Sequence, residues 1–83
     1  TDETEKITFL CDGTVIDQVV DWFGKNISIY DIGGGKYEVS VTASPNAMEY
    51  WALQYLNYVE IKSPTELRER IKQNLKTAEE KYK

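Results

Sequence analysis

The sequence predicts one small α+β domain, with strands and helices following one another as β-α-β-β-α-β-α. Three observations predict it. Apolar residues alternate in "ITFLCD" and "KYEVSVTAS", the period-two pattern of strands with one buried face. They recur at three- and four-residue spacing in "VIDQVVDWF", "AMEYWALQYL" and "LRERIKQNLKTAEEKY", the pattern of amphipathic helices. Glycines, prolines and capping residues punctuate the junctions between these runs.

In chain order, "TDETE" (1–5) reads as a frayed linker end. The first strand turns Ile7, Phe9 and Cys11 one way and Thr8 and Leu10 the other. Asp12-Gly13-Thr14 starts a helix, with Thr14 and Asp17 spaced as a capping box. Its stripe is Ile16, Val19, Val20 and Phe23, and Gly24 ends it. "NISIYDI" is the second strand, with Ile27 and Ile29 opposite Ser28 and Tyr30. Gly33-Gly34-Gly35 is a hairpin turn, because glycine tolerates positive φ. It is no phosphate loop, since neither a Lys-Ser/Thr pair nor a helix follows it. The third strand points Tyr37, Val39, Val41 and Ala43 inward and Glu38, Ser40 and Thr42 outward.

Ser44 caps the second helix and Pro45 takes its first turn. Met48, Trp51, Ala52, Tyr55 and Leu56 share its inner face, and Asn57 closes it. "YVEI" is the fourth strand. Ser63, Pro64 and Glu66 then open a last helix whose stripe is Leu67, Ile71, Leu75, Ala78 and Tyr82. The first six elements have the order of a ferredoxin-like β-α-β-β-α-β antiparallel sheet, residues 6–61. Residues 62–83 add a C-terminal amphipathic helix, so the single domain spans 1–83.

Composition narrows the function. The 83 residues contain 41% hydrophobic and 12% aromatic side chains, which supports a packed core rather than disorder. The net charge of −4 is uneven: ten acids and three bases in residues 1–61 give −7, and four acids and seven bases in 62–83 give +3. An acidic body with a mildly basic tail is a poor stand-alone phosphate binder. There is no histidine, the commonest general base and metal ligand, and the single cysteine has no partner for an internal disulfide. The expectation is a cytoplasmic domain that is not an enzyme and takes no cofactor or metal. No apolar run approaches membrane-spanning length. Residue 1 is Thr rather than Met, so a piece of a longer chain is expected.

Aromatics are the other candidates. Trp51 and Tyr55 lie on the inward stripe and read as core, whereas Tyr50 and Trp22 point away and read as partner surface. Sheets of this order that read RNA stack bases on aromatics of their two central strands. The outward residues there are Thr8, Leu10, Glu38, Ser40 and Thr42, none aromatic, so that function is not expected. Tyr30, Arg68 and Arg70 remain as candidate ligand or nucleic-acid contacts.

The end of the chain, "EYWALQYLNYVEIKSPTELRERIKQNLKTAEEKY", resembles the C-terminal extension (WCX-type) domain of WYL-domain transcriptional regulators. The residues that carry the likeness are Trp51, Val59, Glu60, Ile61, Pro64, Leu67, Arg68 and Tyr82. "ITFLCDG", "VVDWFG" and "GGKYEVSVTAS" are similar to the family's opening strand, first helix and glycine-turn hairpin. The resemblance implies a bacterial regulator whose N-terminal winged helix-turn-helix binds DNA. A WYL domain that binds a ligand, in some members single-stranded DNA, would follow. The extension comes last, helps dimerise and transmits the signal. The Trp-Tyr-Leu motif itself is absent from this chain, so no ligand residues of the WYL domain carry over. The expected partners are a second copy, met through the C-terminal helix region, and the WYL and winged-helix domains of the same chain. DNA would be reached only through those domains, and no membrane is involved. The alternative is a small-molecule-sensing ferredoxin-like (ACT-like) binding module.

Overall fold

A computed structural model describes residues 3–24 and 26–83. The elements are β1 (Glu5–Asp12), a 3₁₀ turn (Gly13–Val15), α1 (Ile16–Phe23), β2 (Ile27–Gly33) and β3 (Lys36–Ala43). Then come α2 (Pro45–Gln54), β4 (Val59–Ser63) and α3 (Thr65–Glu80). The four strands form one antiparallel sheet in the order β2-β3-β1-β4, with β1 and β3 central. This is the expected ferredoxin-like arrangement with its added C-terminal helix. The first strand already includes Glu5, and Thr1 and Asp2 of the expected linker lie outside the described residues.

Strand alternation sets the core. β1 and β3 pair over their full lengths, Glu5 opposite Ala43 through Asp12 opposite Lys36. That register stacks Ile7 on Val41 and Phe9 on Val39 on the helix side, all four buried. Val59 and Ile61 of β4 extend the same surface. Met48, Trp51 and Ala52 of α2, Val19 of α1, and Leu67 and Ile71 of α3 close it from above. Aromatic rings fill the centre. Trp51 lies 5.2 Å from each of Phe9, Phe23 and Tyr55, centroid to centroid. Trp51 and Tyr55 are therefore packing residues, as expected.

The turns follow from backbone chemistry. Gly33, Gly34 and Gly35 all take positive φ (87°, 66° and 76°), and the Asp31 carboxylate accepts the Gly33 N–H at 2.8 Å. The Ser44 hydroxyl accepts the Ala47 N–H at 3.4 Å, and Pro45 follows it, as the cap expectation required.

Four local expectations need correction. The Thr14–Asp17 box does not form, because residues 13–15 make a 3₁₀ turn instead. The Gly13 N–H is bonded to the Gly35 carbonyl at 2.9 Å, which ties the turn to the β2–β3 hairpin. The tighter turn changes the phase of α1, so Val15 is buried and Val20 stays 43% exposed. α2 ends at Gln54 rather than Asn57, leaving Leu56 past the helix and half out of the core. Ser63 still pairs with Thr8 at the end of β4, so the residue flanking α3 is Pro64 and no side chain caps that helix.

Candidate interaction surface

α3 is fastened to the body by polar contacts at its first half. Arg68 Nη1 donates to Glu60 Oε2 and to the Ile61 carbonyl, each at 2.8 Å. The second bond satisfies a main-chain acceptor of β4, an edge strand. The Arg68 hydrogen bond holds the Glu60 carboxyl below the usual carboxylate range, with Lys62 adding to it at 3.6 Å and desolvation opposing it. Two residues on, Arg70 Nε donates to Glu49 Oε1 at 2.8 Å, and Asn74 Nδ2 donates to the other carboxylate oxygen at 2.8 Å. Arg70 Nη2 also reaches Asn46 Oδ1 at 3.3 Å. Both arginines thus bind α3 to β4 and α2.

The three candidate ligand contacts are not brought together. Tyr30 stands on the helix-free face of β2, opposite Glu38, while Arg68 and Arg70 sit beside β4. β2 and β4 are the two outer strands of the sheet, roughly 14 Å apart at ordinary strand spacing. The partner-surface candidates do reach solvent: Tyr50 is 75% and Trp22 63% exposed.

The rest of the helix-free face is polar. Thr8 and Ser40 hydroxyls lie 3.1 Å apart, and Lys36 pairs with Asp12 at 2.8 Å. That hydrogen bond raises the Lys36 ammonium above its ordinary value. Cys11 is buried on the other face, and burial pushes its thiol up, the opposite of what a nucleophile needs. Among the described residues, no group of three His, Cys, Asp or Glu is placed to hold a metal ion. No helix among them is long and apolar enough to cross a membrane.

The sequence reading missed a concave apolar surface at the α2–β4 junction. A groove of about 420 Å³ opens between α2, β4 and α3, lined by Ala52, Leu56, Val59, Ile71 and Leu75 with Arg68 and Lys72 at its rim. A neighbouring groove of about 290 Å³ is lined by Leu10, Lys36, Leu56, Tyr58, Val59 and Glu60. Periodicity assigned Leu56 to a helix face. Only the early end of α2 releases it into the groove wall.

Beyond the groove, the α3 stripe loses its cover. Leu67 and Ile71 are buried, Leu75 is 44% exposed and Tyr82 is 90% exposed. A sixteen-residue helix is about 24 Å long. Its last turns run on past the Arg70 and Asn74 contacts with α2.

The fold and this surface define a class: a ferredoxin-like α+β domain with a third helix clamped along one edge and presenting an apolar stripe. The model of the WCX domain matches residues 3–78, and the chain belongs to that family. It is thus the C-terminal domain type of WYL-type regulators. No curated protein matches the chain.

Proposed function

We propose that this chain is the regulatory, dimerising C-terminal domain of a bacterial, cytoplasmic WYL-family transcriptional regulator. Family membership over residues 3–78 supports the regulatory setting. One observation carries the dimer: the apolar stripe of α3 is buried at Leu67 and Ile71 and then continues into solvent at Leu75 and Tyr82. An exposed stripe on a well-anchored helix favours a protein partner. In this reading the chain performs no catalysis and takes no cofactor. It transmits a signal by docking against its own copy and against the WYL and winged-helix domains, and DNA is contacted through the latter. The acidic body, at −7 over residues 1–61, supports that division of labour.

Sedimentation of the isolated chain tests the dimer. A concentration-dependent monomer–dimer equilibrium is expected, and a strict monomer at high concentration counts against it. Deleting the chain's residues from the full-length regulator tests the regulatory role. Operator binding by the winged helix is expected to persist while the response to signal is lost.

A further inference from the structure

The larger groove has the make-up of a small-molecule site. Its volume of about 420 Å³ falls within the roughly 300–1,000 Å³ usual for such sites. Leu56, Val59, Ile71 and Leu75 give it an apolar lining, and its charged residues are Glu60, Arg68 and Lys72. That lining is net +1, although residues 1–61 as a whole are acidic at −7. The acids nearby are already engaged. Glu60 receives Arg68 at 2.8 Å and Lys62 at 3.6 Å. Glu49 of α2 receives Arg70 and Asn74. Lys72 is exposed, and among the described residues no carboxylate pairs with its ammonium. Arg68 and Lys72 stand at i and i+4 on α3, a like-charge spacing that is mildly unfavourable while no anion lies between them.

We propose that this groove binds a small amphipathic anion, a molecule with an alkyl or aryl body and one carboxylate head. The body lies against Leu56, Val59 and Leu75 and removes their apolar surface from water. The head meets the Lys72 ammonium, and the Arg68 guanidinium adds its charge from one turn away. A neutral ligand of the same shape would cover the apolar wall but gain nothing from Lys72, and a cation would be repelled there. Charge thus chooses an anion, and volume chooses a small one. The inference goes beyond the docking role of α3, since it gives the domain a ligand site of its own.

The test titrates decanoate, decanol and decyltrimethylammonium into the 83-residue chain, each below its micelle-forming concentration, and follows backbone amide NMR shifts. Decanoate is expected to move the amides of Leu56, Val59, Ile71 and Lys72 and to bind roughly fivefold more tightly than decanol. Added salt should narrow that preference. Lys72→Met, a change at an exposed position, is expected to bring the two affinities together. Leu56→Glu, with an unchanged circular dichroism spectrum, is expected to abolish decanoate binding, because it sets a carboxylate in the apolar wall. Decanoate binding no tighter than decanol makes the groove an ordinary apolar surface and overturns the proposal. A preference for the cation, shifts centred elsewhere, or no binding at all does the same. So does a preference that survives Lys72→Met or binding that survives Leu56→Glu. The docking role fails separately, through sedimentation of the ligand-free chain.

Discussion

Trp51 packs against Phe9, Phe23 and Tyr55, and it is the residue on which α1, α2 and β1 converge. Truncating it to Ala is expected to cost about 3–5 kcal/mol, a large share of the stability of so small a domain. Chemical denaturation would show this as a shifted midpoint. Its indole Nε1 is buried with no acceptor among the described residues. Trp51→Phe is therefore expected to cost clearly less than Trp51→Ala, because the smaller ring also removes an unpaired donor. Glu60 gives a pH-dependent counterpart. Its carboxyl is held low by the Arg68 hydrogen bond in the folded state, so it stabilises the fold above the unfolded carboxylate pKa of about 4.3. That contribution is lost as pH falls through the lowered folded value. The side chain is half exposed, which limits the effect to under ~1 kcal/mol. The stability gap between wild type and Glu60→Gln should therefore shrink between about pH 6 and about pH 3. A gap that widens on acidification would contradict the Arg68 pairing.

Among the elements, the β2–β3 hairpin and α3 depend on different physics. Gly34 has φ 66° with open space around the position of a Cβ, so an added methyl strains the backbone without clashing. Gly34→Ala is expected to lower stability by about 1 kcal/mol in urea titrations. Gly13 is the reverse case: its φ is ordinary, but a Cβ would stand 3.3 Å from the Tyr37 ring. For α3, propensity and packing act on different halves. Leu67 and Ile71 hold the first half in the core, and the Glu49 carboxylate receives both Arg70 and Asn74. The second half carries the Asn74–Glu49 hydrogen bond and the Lys83 pairs with Glu79 and Glu80, and leaves Leu75 44% and Tyr82 90% exposed.

For the whole molecule, that division predicts that folding and the proposed self-association can be separated. Removing residues 76–83 takes away an exposed segment and should change unfolding stability by about 0.5 kcal/mol or less. The same truncation is expected to abolish self-association, read by sedimentation beside a thermal melt. Loss of the fold on truncation would mean that the tail belongs to this copy's own core. The candidate site differs from the fold in how it could be foreseen. The sequence offers Arg68 and Arg70 as candidate ligand or nucleic-acid contacts, yet each is taken up by a carboxylate within its own domain. Tyr30 lies on the side of β2 opposite Ile29, as the alternation predicts, at the far edge of the sheet from those arginines.

The sequence by itself determined the elements, their order and most of the core, because strand and helix periods are local and the inward residues of β1, β3 and α2 announce them. It also carried the family likeness, in Trp51, Val59, Pro64 and Leu67 among others. Only the tertiary structure decided where α2 stops, which way Val15 and Val20 turn, and which carboxylates hold the arginines. The two grooves at the α2–β4 junction belong to the same group. They bring together Leu10, Leu56 and Leu75, residues far apart in sequence that become neighbours only when β4 pairs with β1 and α3 folds back beside them. Concavity is a property of that assembly, and no local pattern of residues encodes it.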